Sequence, residues 1–141
     1  MAYWLFQGNP KYYRILQAIE EQEELPWLVT RYSKEIQVGD RALIWMAGPE
    51  AGIYAIAEVT KPPEIYPELP DGQYWLMSDQ AKLDKPRVQL RFLRKLLGQP
   101  LRRHELKQDQ ILRDLLVIRA PNSTNFRVTE EQWQRVYSLK G

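Results

Sequence analysis

Aromatic side chains are the groups of this chain best suited to recognition chemistry. Five tryptophans and eight tyrosines occur in 141 residues, more than a core of this size requires. Their flat faces can hold a single-stranded or flipped base while polar neighbours read the ring edge. Such stacking contributes roughly 1–3 kcal/mol per base. Covalent chemistry has less to work with. There is no cysteine and a single histidine, His104, so the nucleophile–base pairs of hydrolases are lacking in their common forms. The same composition excludes disulfides and thiolate metal sites and argues against zinc or non-haem iron, so neither metal nor cofactor is expected. Neither GxGxxG nor GxxxxGK[ST] occurs in the sequence, and no phosphate cradle of those kinds is indicated. The 18 carboxylates read mostly as solvated surface.

Phosphate contacts would have to come from basic side chains. Residues 1–84 hold 7 Lys/Arg against 13 Asp/Glu, whereas residues 85–119 hold 10 against 3. Such asymmetry marks a polyanion-binding face if the fold brings the cations together, and an ordinary solvated surface if it does not. Arg87, Arg91, Arg94, Arg102 and Arg103 are the candidates for the phosphate rim. His104, beside Arg103, reads as a surface group.

These residues need a scaffold, and 141 residues make one domain, 1–141, with room for one core. No run is long enough to span a membrane and the N-terminus lacks a signal-peptide layout, so a cytoplasmic protein is expected. Gly39-Asp40 is a turn signal before the apolar run Ala42–Met46. A second turn cluster, Gly48 to Gly52, leads into the alternating Ile53–Val59, and together these predict a β-hairpin. Tyr3–Phe6 reads as a short strand. Asn9-Pro10 reads as the N-cap and first residue of a helix whose buried stripe is Tyr12, Ile15, Leu16 and Ile19. Leu25 to Tyr32 reads as irregular, followed by a short helical turn. Pro62, Pro63, Pro67, Pro70 and Asp71-Gly72 predict a long loop, with Tyr74–Met77 as a possible short strand. Arg87–Leu93 alternates, with Val88, Leu90 and Phe92 inward and Arg87, Gln89 and Arg91 outward. A short polar helix over 101–109 and an apolar segment over 111–118 follow. Thr129–Gln132 is a capping box opening a last helix that buries Trp133, Val136 and Tyr137. The order β-α-β-β-β-α predicts an α+β barrel of five to six strands with flanking helices.

The hairpin's wording is more specific than its pattern. Ile36-Gln-Val-Gly-Asp-Arg-Ala-Leu-Ile-Trp45 followed by Gly52-Ile-Tyr-Ala-Ile-Ala-Glu-Val59 resembles the EVE domain, a PUA-like small barrel related to the YTH readers of methylated RNA. The resemblance covers nearly the whole chain. Trp4–Pro10 is similar to the family's first strand and the turn leaving it. Pro121–Phe126 resembles its late loop, with Ser123 where glycine is commoner, and the Thr129–Trp133 helix start also fits. The resemblance implies a PUA-like twisted barrel with an aromatic base pocket. It implies Trp27 as one wall, Trp75 near a further cage tryptophan, and Asn9, Thr124 and Asn125 as edge readers. Each has a plainer role open beside it. Trp27 could plug the barrel, Asn9 could cap the helix, and Thr124 and Asn125 could form an ordinary turn. Trp45 is a further pocket candidate that could line the barrel or pack in the core, while Trp4 and Trp133 read as core.

The expected function is therefore a non-catalytic nucleic-acid-binding domain that reads a modified or flipped base. The resemblance most suggests a 5-methylcytosine-type DNA base, with a modified RNA base open. A PUA-like nuclease is the main alternative, and a small-molecule or protein-interaction module the second.

Overall fold

Ala42 to Met46 is apolar at every position because its strand is covered on both faces. The structure, a computed structural model, describes residues 1–141. Its strands are β1 (Tyr3–Gly8), β2 (Glu24–Leu28), β3 (Arg41–Met46), β4 (Gly52–Glu64), β5 (Arg87–Lys95), β6 (Leu101–Arg102) and β7 (Asn125–Val128). The helices are α1 (Ile15–Glu21), α2 (Arg103–Leu106), α3 (Leu116–Arg119) and α4 (Glu130–Lys140). Hydrogen-bonded neighbours run β2-β5-β4-β3-β1-β7, with β6 on the start of β4. Only β1 and β3 pair in parallel. The result is the expected α+β architecture, a curled mixed sheet forming a half-barrel, with seven strands where five to six were expected.

Alternation along the strands sorts side chains into two cores. Trp4 and Phe6 of β1, Ala42, Ile44 and Met46 of β3, and Val88, Leu90 and Phe92 of β5 fill the inner one. Leu5, Leu43, Trp45 and Ile56 face an outer core roofed by Trp133 and Val136 of α4. The predicted hairpin is β3–β4. Its loop turns at Gly48, φ +97°, a backbone conformation that glycine adopts without a Cβ clash. Gly52 is needed for another reason: a Cβ there would lie 2.4 Å from the Leu101 carbonyl of β6. The capping box of α4 is also as predicted, with the Thr129 hydroxyl accepting from Gln132 N at 3.1 Å and the Gln132 side chain accepting from Thr129 N at 3.0 Å. Tyr137, expected inside, is half-exposed.

Three segments differ from the sequence reading. α1 begins at Ile15, not at Pro10. The backbone of Tyr12 to Arg14 is engaged by the long loop, with Leu76 N donating to Tyr12 O and Arg14 N to Tyr74 O, both at 2.8 Å. Asn9 therefore caps only a local turn, accepting from Lys11 N at 2.9 Å, and Leu16 faces solvent. Leu25–Leu28 is not irregular but belongs to β2, an edge strand that tolerates Pro26. β4 runs on through Pro62 and Pro63 to Glu64, with its register against β5 shifting there.

β2 and β7 form the two edges of the sheet, and no ladder joins them. A side chain does so instead. The Asn125 amide oxygen accepts from Thr30 N (3.1 Å) and Arg31 N (3.2 Å), and its nitrogen donates to Arg31 O (2.6 Å). Asn125 thus serves the peptide groups that follow β2 as another strand would. No helix is long and apolar enough to cross a membrane.

Candidate nucleic-acid interface

At that seam, the C-terminal ends of β1 and β2, the start of β5 and the loop before β7 leave a cavity of about 340 Å³. The volume lies within the range of small-ligand sites. Trp27, Trp75, Asn9 and Thr124 all line it, so four of the six sequence-predicted pocket residues converge. Trp27 comes from β2 and spans the seam, its indole N–H donating to Gln7 O of β1 at 3.2 Å. It is also 5 % exposed and part of the inner core. Wall and core plug are here the same residue. Tyr13 contacts both tryptophans, with centroids 6.1 Å from Trp27, edge to face, and 4.8 Å from Trp75. Asn9 presents its side chain at the rim, where its Nδ2 has no protein partner. The Thr124 hydroxyl lies 2.6 Å from that of Thr30. Gln7 holds the neighbouring backbone, donating to Pro121 O at 3.2 Å and Ser123 O at 2.7 Å.

Two expected pocket residues are elsewhere. Trp45 lies on the opposite face of β3, 3 % exposed in the outer core. Strand phase places it there, since Ala42, Ile44 and Met46 take the inner face. Asn125 is wholly buried, and both ends of its amide are committed to the backbone across the seam. It supports Thr124 from behind and does not read a ligand edge.

The expected phosphate rim does not assemble. Arg91 is paired with Glu58 and Arg102 with Glu50, while Arg94 and Arg103 are exposed and none of the four lines the cavity. Arg94 lies seven residues along β5 from the cavity end, roughly 23 Å at strand rise, and Arg103 opens α2 on the outer core. Arg87 does line the cavity, but from within, 1 % exposed. Its guanidinium donates to the carbonyls of Ala81, Lys82 and Lys85, fastening the long 65–86 loop. The strand alternation that predicts Arg87 outward fails because this loop covers the start of β5. Cations available at the mouth are Lys82, which lines the cavity and is exposed, and Lys11, whose ammonium lies 5.8 Å from the ring centroid of lining Tyr12.

The loop also brings in Asp71, which the sequence marks only as part of an Asp-Gly turn. Its carboxylate is 3 % exposed and lines the cavity. Oδ2 accepts from the Tyr13 hydroxyl at 2.8 Å, whereas Oδ1, though buried, has no donor. The Trp75 indole N–H, which helps hold the Asp71 charge, meets no acceptor in hydrogen-bonding geometry. Each unsatisfied buried group costs about 1–3 kcal/mol. Burial raises the Asp71 carboxyl above its ordinary range, and the Tyr13 hydroxyl, Arg87 and the Trp75 N–H oppose that rise without cancelling it. Burial, then the Asp71 charge, pushes the Tyr13 hydroxyl far up, so it remains a donor. Arg87 is lowered by burial, with Asp71, Tyr13 and Tyr66 acting against this.

A carboxyl whose folded pKa is raised contributes stability below its unfolded pKa and loses that contribution as pH rises through the folded value. Asp71→Asn does not titrate. Thermal melts from pH 4 to pH 8 are therefore expected to show the variant gaining on the native protein as pH rises. A difference that stays constant across this range would show that the Asp71 carboxyl is not raised by its burial.

The sequence model of the EVE domain family matches residues 2–139. No protein of curated function matches by sequence. Among solved structures, a hypothetical protein of Leishmania major superposes with a TM-score of 0.74 at 18% identity, over 99% of this chain and 94% of its own. A Pseudomonas putida protein gives 0.71 at 24% identity, over 98% and 99%. Human THYN1, solved in complex with DNA containing 5-methylcytosine, gives 0.70 at 15% identity, over 99% and 97%. At these identities the structural likenesses speak for the fold, which is PUA-like. The family match spans almost every residue, and the chain belongs to the EVE domain family.

Proposed function

We propose that this domain binds nucleic acid without cleaving it and takes one unstacked base, modified bases included, into the cavity at the sheet seam. The observation that carries this reading is the cavity, which combines the aromatic rings of Trp27, Trp75 and Tyr13 with the polar side chains of Asn9, Asp71, Gln80 and Thr124. Flat apolar walls with a polar edge suit a heterocycle removed from its stack. The 5-methylcytosine DNA bound by human THYN1, a protein of the same fold, supports the choice of ligand. Trp27 and Trp75 present the stacking faces, Asn9 Nδ2 and Thr124 meet polar groups at the mouth, and Lys82 and Lys11 contact the phosphates. The nuclease alternative has one carboxylate in the cavity, Asp71, and no cluster of three metal-ligating side chains to build on.

Two variants test the reading by anisotropy with labelled single-stranded DNA and RNA. Gln80 lines the cavity and is half-buried. Gln80→Trp is expected to fill the space, lower affinity tenfold or more, about 1.4 kcal/mol, and leave the melting temperature nearly unchanged. Lys82→Glu should weaken binding and reduce the slope of log affinity against log salt by roughly 0.7 for each phosphate no longer neutralised. Native affinity in Gln80→Trp would remove the cavity from consideration. Oligonucleotides incubated with magnesium or manganese should stay intact, and cleavage abolished by Asp71→Asn would hand the site to the nuclease reading.

A further inference from the structure

The polar side of the cavity is asymmetric in a way that a purely aromatic slot is not. Asp71 is nearly inaccessible to water, yet only one of its oxygens is satisfied, by the Tyr13 hydroxyl. The other oxygen is an acceptor awaiting a donor. Tyr13 is committed to the first oxygen and Arg87 is spent on loop carbonyls, while the Trp75 indole N–H favours the Asp71 charge but stands outside hydrogen-bonding geometry. Arg87 balances the charge without forming an ion pair, which leaves the carboxylate free to act on something in the cavity.

We propose that Asp71 is the specificity-determining residue of this site: its free oxygen accepts a hydrogen bond from an exocyclic amino group of the bound base. The cavity then takes amino-bearing bases in preference to their keto counterparts. This rests on the reading of the cavity as a base pocket.

The chemistry follows from the edges the bases present. Carboxylates accept from the amino group of cytosine, a pairing available to any base that carries such a group. On a cytosine ring this amino group is flanked outside by C5, which is apolar and has no lone pair to set against the acid. Inside it lies a ring nitrogen, an acceptor of the kind the unpartnered Trp75 N–H lacks. Thymine and uracil put a carbonyl oxygen where the amino group was. Their one N–H sits between two carbonyls, so offering it to Asp71 drives an oxygen lone pair toward a carboxylate that is itself nearly inaccessible to water. A polar site built for a donor rejects the analogue lacking it because its own buried group is left unpaired. The charge state matters as well. Asp71 faces Tyr13, Tyr66, Trp75 and Arg87, and a donor brought to it favours its ionised form. Affinity for amino-bearing bases is therefore expected to fall as pH drops through the carboxyl's raised pKa.

5-Methylcytosine and thymine differ only in the amino or keto group at C4 and the proton that the keto form carries on the neighbouring ring nitrogen, so they present the donor pattern of the claim and its reverse. Single-stranded DNA oligonucleotides identical except for that central base are titrated against the native protein, Asp71→Asn and Gln80→Trp. The native protein should prefer 5-methylcytosine by about 10- to 100-fold. Asp71→Asn offers an amide N–H to the keto oxygen and should erase or invert the preference, and Gln80→Trp should weaken both. If the native protein binds both equally while Gln80→Trp weakens both, the base pocket stands and the role given to Asp71 is wrong. If Gln80→Trp weakens neither, the pocket fails and this inference with it. The native comparison decides even if Asp71→Asn folds poorly, and a preference that survives intact in a folded Asp71→Asn also overturns the proposal.

Discussion

Trp27→Ala is expected to lose both stability and binding, with stability the larger loss. The side chain is 5 % exposed, belongs to the inner core and bridges β2 to Gln7 O of β1 across the open seam. Truncating a buried tryptophan costs about 3–5 kcal/mol, enough to lower the melting temperature by on the order of 10 °C or more in a domain of this size. If the cavity takes a base as proposed, the missing ring also removes one stacking face, worth roughly 1–3 kcal/mol of binding. A tryptophan that serves only as a pocket wall would show the second effect alone, so one truncation cannot separate the two roles. Trp27→Phe does better. It keeps most of the buried area, loses the bond to Gln7 O, and should cost less stability while still weakening an oligonucleotide that reaches the cavity. A Trp27→Ala variant that melts with the native protein would show that this indole is no part of the core.

How much of this was legible beforehand depends on the range of the forces involved. The β3–β4 hairpin, the alternation of β5 and the capping box of α4 are local patterns, and each appears in the structure. The start of α1 was misplaced because Asn9-Pro10 is a valid helix opening taken alone. The competing partner for that backbone, Tyr74 to Leu76, lies 60 or more residues along the chain. Trp45 illustrates a different limit. Its strand phase was legible, but which face the cavity would occupy was not, because both faces of β3 are buried.

The site was legible where it is aromatic and opaque where it is charged. Trp27, Trp75, Asn9 and Thr124 all line one cavity. Asp71 was hidden inside an ordinary turn signal, and Tyr13 was passed over for its neighbour Tyr12. A surplus of Arg over residues 85–119 says nothing about which side of a sheet those residues take. Four of the five candidate arginines stand away from the cavity, and two of those are already paired with Glu58 and Glu50. The fifth, Arg87, is the one buried cation. Only the loop over it reveals why: a proline-rich stretch too long to be a simple connection usually has work to do at a site.

Arg87→Met should show how far the polar wall depends on that loop. Methionine fills much of the same space but donates nothing. The carbonyls of Ala81, Lys82 and Lys85 lose their shared donor, and Asp71 loses its nearby positive charge. Removing one side of a buried charge arrangement costs about 3–5 kcal/mol. The damage should be local first. Amides of the 65–86 loop are expected to exchange with deuterium well before those of β3 and β4, whose bonds lie in the middle of the sheet. Losing the cation also leaves Asp71 costlier to ionise, so Arg87→Met should lose more stability at pH 8 than at pH 4. Adding Asp71→Asn removes the stranded charge and is expected to restore part of the loss at pH 8 and little of it at pH 4. That recovery is the signature of charge balance. A double variant no more stable than Arg87→Met at pH 8 would leave Arg87 as a clamp for the loop backbone alone, with Asp71 held in the wall by Tyr13.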